Sequence, residues 1–314
     1  MFQVSRIVTR LFCVHVIRGT VYTNMDNRRK TVVDLLGKKK ALADYLICLD
    51  IDGTLVGADL VVSSRNRQAL KMVLDAGAHV YLVSGRMWYA ANVIAEDIDP
   101  RIGVVASNGA VIDTDGDIEM HGLSNQVVFK LVELSYRLNF SLFLFGQRQV
   151  YYTLTKPEYL SGDGFQRVHS PNLADYHQLT PLDHALDRPV ANGIVVDTQH
   201  PERLPMLRHQ LYNNLGSMLK LSTSNVTNIE LIPNWVSKGG AIAQLQELTG
   251  VDAQHTVAIG DGENDLSMFA GIKYSVAMGN AAYCVQRAAN YQTLDYRHDG
   301  VAAFLERELL TMKV

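Results

Sequence analysis

From Tyr45 onward, apolar residues arrive in blocks. YLICL (45–49) is a strand-length run with no polar face, the pattern of a strand buried on both sides. After a DIDGT turn, SSRNRQALKMVLDAG carries Ala69, Leu70, Val73 and Leu74 at helical spacing and stops at Gly77. AHVYLVSG, RMWYAANVIAEDI and IGVVASNG then read as strand, helix and strand. Such alternation predicts an α/β fold with a parallel sheet and helices on both faces. The rhythm breaks at AVIDTDGDIEM, a hairpin with Asp115-Gly116 at its tip. Next come a helix at NQVVFKLVELSYRL, strands at FSLFLF and VYYTLT, a loop-rich stretch over 156–190, and a strand at NGIVVDT. A helix near ERLPMLRHQLYNNL and strands at MLKLSTS and NIELIP complete the region. Helices beside antiparallel strands predict an α+β module inserted into the first domain. At Lys238 the strand–helix rhythm resumes and runs to an amphipathic helix at GVAAFLERELLTM. The expected division is an N-terminal extension over 1–44, a core of 45–111 and 229–314, and an inserted module over 112–228.

Composition narrows the function classes. The 314 residues are 47% hydrophobic and 19% charged, a globular balance long enough for two domains. A net charge of -3 supplies no global field for nucleic acid or an acidic membrane, so neither is expected as a partner. No apolar run reaches the length of a membrane helix. Cys13, Cys48 and Cys284 are odd in number and far apart, which fits a reducing cytoplasm better than a disulfide framework. Residues 1–24 hold Arg6, Arg10 and Arg18 and no acid. A transit segment, an ordinary helix, a tail, or a true start at Met25 all accommodate this; a secretory signal does not, because Arg10 interrupts the apolar run.

Four stretches carry chemistry. Asp50 and Asp52 follow the first buried strand, and residues two apart on a strand share a face. Strand ends are where open α/β sheets hold ligands. A turn-capping role for this pair remains an even alternative when the stretch is read alone. Ser84, in LVSGR, ends the second strand, where a hydroxyl and backbone N–H groups could hold phosphate. Lys238, in VSKGG, opposes the dipole at a helix start, a poor structural choice unless an anion is bound. Read alone, Ser84 fits a simple strand-to-helix turn equally, and Lys238 a solvated surface lysine. AIGDGENDLSMF sets Asp261, Glu263, Asn264 and Asp265 after another buried strand; a helix cap accounts for one of them, not four. Carboxylates converging from two strand ends make a hard-oxygen site suited to Mg²⁺. Together these groups describe phosphoryl transfer.

The order DIDGTLV, LVSGR, SKGG, GDGENDLSMF resembles the four motifs of the haloacid dehalogenase-like superfamily. ASNGA (106–110), SVAMGNA (275–281) and DGVAAFLE (299–306) are similar to its Cof-type phosphatases with a type IIB cap. The resemblance covers about residues 45–310 and implies a Rossmann-like core whose inserted α+β cap covers the site. It implies Asp50 as nucleophile through an aspartyl-phosphate, and Asp52 as general acid and base. It further implies Ser84, Lys238 and Asn264 on the phosphate, and Asn108 and Gly109 facing the cap. Asp50, the Asp52 carbonyl and Asp261 would hold Mg²⁺, with Asp265 supporting the metal site directly or through water. The expected activity is hydrolysis of a small phosphorylated metabolite, a sugar phosphate or phosphorylated cofactor, with no obligate protein partner. A sugar phosphomutase and a non-catalytic metabolite-binding protein are the alternatives. Tyr151, Tyr152, Arg167 and His169 are candidate cap residues toward substrate.

Overall fold

In a computed structural model, residues 42–155, 176–184, 186, 188–223 and 226–311 are described, with three short strands before them. Those strands, β1 (Val16–Ile17), β2 (Thr20–Val21) and β3 (Val33–Asp34), pair antiparallel. These positions are therefore extended, whereas one reading of the N-terminus was a helix. The remainder of the N-terminal expectation lies outside the described residues.

Two sheets divide the rest. The larger has eight strands in the order β17-β16-β15-β4-β5-β6-β7-β8. Its centre is β4 (Leu46–Leu49), flanked by β5 (His79–Val83) and β15 (Thr256–Gly260). β6 (Gly103–Ala106), β16 (Tyr274–Ala277) and β17 (Tyr291–Gln292) extend it in parallel. All four residues of β4 are fully buried, as its unbroken apolar run requires. One face packs against α1 (Ser64–Asp75), α2 (Trp88–Ile98) and α8 (Gly300–Leu305); the other packs against α5 (Lys238–Thr249), α6 (Leu266–Phe269) and α7 (Tyr283–Ala288). Helix α1 starts where the Ser63 side chain accepts from the Asn66 N–H, and its predicted stripe Ala69, Leu70, Val73, Leu74 is buried.

The hairpin β7 (Val111–Thr114) and β8 (Asp117–Met120) turns through Asp115 and Gly116 at φ 56° and 89°, the geometry its Asp-Gly tip predicts. It pairs with β6 and belongs to the large sheet. The sequence reading placed it in the inserted module, because strand patterning does not reveal which sheet an edge hairpin joins. The opposite holds for β14 (Asn228–Pro233), which pairs within the smaller sheet although 229–233 was assigned to the core.

The smaller sheet runs β11-β10-β9-β12-β14-β13. β9 (Ser141–Phe145), β10 (Val150–Tyr152), β12 (Asn192–Val196), β13 (Leu219–Ser222) and β14 are antiparallel neighbours, and β11 (Tyr176–Gln178) joins in parallel. Helices α3 (Asn125–Leu138) and α4 (Leu204–Leu215) cover one face through Leu142, Leu144, Tyr151, Val195 and Leu231. The opposite face presents Phe143, Phe145, Tyr152, Asn192, Ile194 and Glu230, by strand alternation. Among the described residues no helix is long and apolar enough to cross a membrane.

Candidate active site

β4 ends at Leu49, and the chain delivers Asp50 into the crevice with its N–H held by the Ile259 carbonyl of β15. Asp50 is 5% exposed. The next residues turn sharply: the N–H groups of Leu55 and Val56 both return to the Ile51 carbonyl. Gly53 has φ 80°, and a Cβ there would lie 2.3 Å from the Asp261 carboxylate, so both its conformation and the close approach require glycine.

Lys238 is the centre of the site. It is 1% exposed, and its Nζ donates at 2.6 Å to Asp50 Oδ1 and at 2.6 Å to Asp265 Oδ1. The helix start that makes a lysine unfavourable is thus answered by two carboxylates. Asp265 Oδ2 accepts from the N–H groups of Asp261 and Gly262, each at 2.9 Å, and holds that loop in place. Asp261 accepts from Thr54 Oγ1 at 3.1 Å and from Asn280 Nδ2 at 3.0 Å. The same Asn280 amide donates to the Gly53 carbonyl at 2.9 Å and ties the two acidic loops together.

These acids are crowded. Burial, opposed by Lys238 but reinforced by Asp265 and Asp261, raises the Asp50 carboxyl to about 8. Burial and then Asp265 raise Asp261 to about 6. Lys238 moves upward: its own burial opposes this, but Asp50 and Asp265 outweigh it, and it remains an ammonium. Lys238 is shared between two carboxylates, which leaves Asp50 undercompensated. One oxygen each from Asp50, Asp261 and Asp265 lies within 4.8 Å of the others, a spacing one small divalent cation can bridge. Such a cation would supply the charge that Lys238 alone does not.

Asp52 does not share that burial. Its side chain is 55% exposed, and both its oxygens accept from Arg86, at 2.7 Å from Nε and 2.5 Å from Nη2. The strand rule expected Asp50 and Asp52 to point together, but β4 has already ended and the turn separates them. Ser84 is 1% exposed; its Oγ accepts from the Arg86 N–H at 3.2 Å, and its own proton has no acceptor among the described residues. Asn264 donates to Asn108 Oδ1 at 3.1 Å, so those two expected residues do meet. Asn108 and Ser107 hold φ near 58° and 51°, rare for residues with side chains. Gly109 packs its backbone against the Ser237 carbonyl, 2.4 Å from where a Cβ would stand. Glu263, of the same acidic loop, is exposed. Tyr151 is buried in the smaller sheet's core, Tyr152 lies on its open face, and Arg167 and His169 are outside the described residues.

Arg86, Thr54 and Asn280 escaped sequence reasoning. All three stand inside stretches already singled out, but their partners lie 34, 207 and 19 residues away, and local pattern does not encode such pairings.

A parallel core with acids at adjacent strand ends, a buried lysine between them, and a second sheet spliced in after the hairpin is a specific arrangement. A family model described as haloacid dehalogenase-like hydrolase matches residues 47–305. The chain belongs to this family. A 5-amino-6-(5-phospho-D-ribitylamino)uracil phosphatase of Bacillus subtilis, YwtE, is 26% identical over 293 residues, covering 84% of this chain and 97% of its own. The phosphatase of the same name in Escherichia coli, YbjI, is 27% identical over 268 residues, covering 84% and 96%. A haloacid dehalogenase-like hydrolase from Bacteroides thetaiotaomicron superposes with a TM-score of 0.73 at 28% identity, over 84% of this chain and 98% of that one. The subclass IIB sugar phosphatase BT4131 shares the fold at a TM-score of 0.69 and 18% identity, over 84% and 98%. The capped α/β hydrolase expected from the motifs is therefore present, among relatives that are themselves named phosphatases.

Proposed function

We propose that this hydrolase is a cytoplasmic Mg²⁺-dependent phosphomonoesterase that works through an aspartyl-phosphate on Asp50. The observation that carries the reading is the buried cluster of Asp50, Asp261 and Asp265 around the Lys238 ammonium. Asp50 Oδ1 is fixed by Lys238 at the end of a rigid central strand, oriented for attack on phosphorus. Ser84, with an uncommitted proton, and the Asn264 amide offer donors to the phosphoryl oxygens, as Lys238 does when substrate displaces part of its pairing. Asp52, exposed at the mouth and held by Arg86, reaches the leaving oxygen. It gives a proton to the departing alcohol, then takes one from the water that attacks the phosphorus of the intermediate. Phosphate departs and Asp50 is regenerated. Asp50 and Asp261, with the Asp52 carbonyl, would hold Mg²⁺, and Asp265, whose oxygens already serve Lys238 and the loop, supports from behind. Bound there, the cation neutralises charge on the phosphoryl oxygens and favours the ionised form of Asp50.

The inserted sheet lies over the site as a cap and excludes water during the first transfer. The substrate is a small phosphorylated metabolite. A phosphorylated ribitylaminouracil is the first to test, because relatives across 84% of the chain are named for it. Asp50→Asn is expected to abolish phosphate release from p-nitrophenyl phosphate while circular dichroism is unchanged. Retained turnover in that variant defeats the assignment. Interconversion of hexose phosphates without phosphate release supports a phosphomutase in its place.

A further inference from the structure

The face of the smaller sheet turned away from α3 and α4 contains one buried polar side chain with nothing to do. Asn192 is 7% exposed, and its Oδ1 is closed to solvent and lacks a hydrogen-bond partner among the described residues. Buried amide oxygens are ordinarily paired. Its direction follows from register. The neighbouring Gly193 pairs with Leu144 and Leu231, which belong to the helix-covered interior, so Asn192 points the other way, toward the catalytic core. Directly across from it stands Phe145, which packs against the apolar cluster that Val150 forms with Met87 and Ala90 at the start of α2. Met87 follows Arg86, the residue that holds Asp52. On the other side, one step beyond the Gly193–Leu231 pair, is Ile232, which joins the catalytic domain's own apolar cluster. Asn192 thus lies between two contacts of the smaller sheet with the larger one, on the face that Phe145 turns toward the start of α2. The next row on the same face is Tyr152, Phe143 and Ile194, which is aromatic and apolar.

We infer that Asn192 is a specificity-determining residue, and that its amide reads the lactam edge of a planar ring on the substrate's leaving group. This rests on the phosphatase reading above. In either orientation the amide offers one donor and one acceptor side by side, the complement of a ring N–H next to a ring C=O. The flanking Phe145 and Tyr152, both half-buried, suit the face of such a ring and do not suit a bare polyol. An orphaned acceptor in a dry site also rejects ligands that cannot satisfy it.

The test compares substrates that share a phosphorylated ribityl chain. One is the phosphorylated ribitylaminouracil, the other D-ribitol 5-phosphate, which lacks the ring. p-Nitrophenyl phosphate serves as the generic reference. Wild type should prefer the ring-bearing substrate in kcat/KM, and Asn192→Ala should raise KM for it by about tenfold or more. KM for D-ribitol 5-phosphate, and turnover of p-nitrophenyl phosphate, should stay within about twofold. Asn192→Asp, which keeps the shape but loses the N–H donor, should raise the same KM and guards against misfolding of the alanine variant. An unchanged KM in both variants, equal losses on ring-bearing and ring-free substrates, or a wild type indifferent to the ring each overturns the inference while the phosphatase reading stands. A wild type that releases phosphate from none of the three defeats the phosphatase reading itself, and the role of Asn192 falls with it.

Discussion

Lys238 is a cation removed from water between two carboxylates. Removing one member of such a set strands the charges that remain. Lys238→Met should therefore cost about 3–5 kcal/mol in urea unfolding of the metal-free protein, besides abolishing turnover. The raised Asp50 and Asp261 carboxyls have a consequence of definite sign. A folded state that holds protons more tightly than the unfolded chain is most favoured at low pH. The contribution is full below about 4, the ordinary carboxylate range. It is lost as pH rises through about 6 for Asp261 and about 8 for Asp50. Metal-free protein should lose thermal stability across this window, and added Mg²⁺ should raise the melting temperature more at pH 8 than at pH 5.5. Equal shifts at both pH values would count against the acidic cluster as the cation's site. Arg86 grips Asp52 with two nitrogens, a geometry that lysine cannot copy. Arg86→Lys should lower kcat/KM on the order of tenfold through lost positioning of Asp52, which steady-state kinetics on p-nitrophenyl phosphate measure.

At the scale of elements, the glycines after Lys238 have a packing role that their spelling conceals. Read alone, Lys-Gly-Gly suggests backbone bared for an anion. A Cβ on Gly239 would stand 2.0 Å from the Ser267 carbonyl oxygen, so the start of α5 presses directly on α6. Gly239→Ala should push the two helices apart, cost about 1–3 kcal/mol, and displace Lys238, lowering kcat with it; urea melts and steady-state kinetics measure both. The same scale shows where periodicity succeeds and stops. Helix α3 spans Asn125–Leu138, matching its apolar spacing, and Ser124 caps it by accepting from the Val127 N–H. By its sequence CVQRAANY (284–291) suits one helix, but α7 ends at Ala288 and Tyr291 joins the sheet edge as β17. Stacking of Tyr291 on Tyr274, with ring centres 5.7 Å apart, is a tertiary contact that overrides the local pattern.

At the scale of the molecule, the smaller sheet touches the larger one's helix α2. Arg148, in the turn between β9 and β10, places its guanidinium 5.6 Å from the ring centres of both Trp88 and Tyr89. Trp88 is held from below by Asp113 of the edge hairpin, its Nε1 donating at 2.8 Å. The hairpin of the core thus props the surface on which the cap rests. Arg148→Ala should loosen this seam. With Trp235 replaced by phenylalanine, Trp88 emission should shift to the red and become more accessible to iodide. No change in either signal would mean that Arg148 does not hold the cap down.

Much of this was legible in the linear chain. The apolar runs and their spacing determined β4, β5, β15 and their helices, since a doubly buried strand and a one-sided helix each leave a distinct period. The acids at 50, 52, 261 and 265, with Ser84 and Lys238, pointed to a phosphatase of the haloacid dehalogenase-like family, because few reactions call for that set together. The tertiary structure decided what depends on distance across the chain. It buried Asp50 against Lys238 while turning Asp52 outward to Arg86, kept the 111–120 hairpin with the core, and set Asn192 opposite Phe145 with its amide oxygen unpaired among the described residues. Sequence pattern reports which face a residue occupies on its own element; only packing of one element on another sets what that face meets.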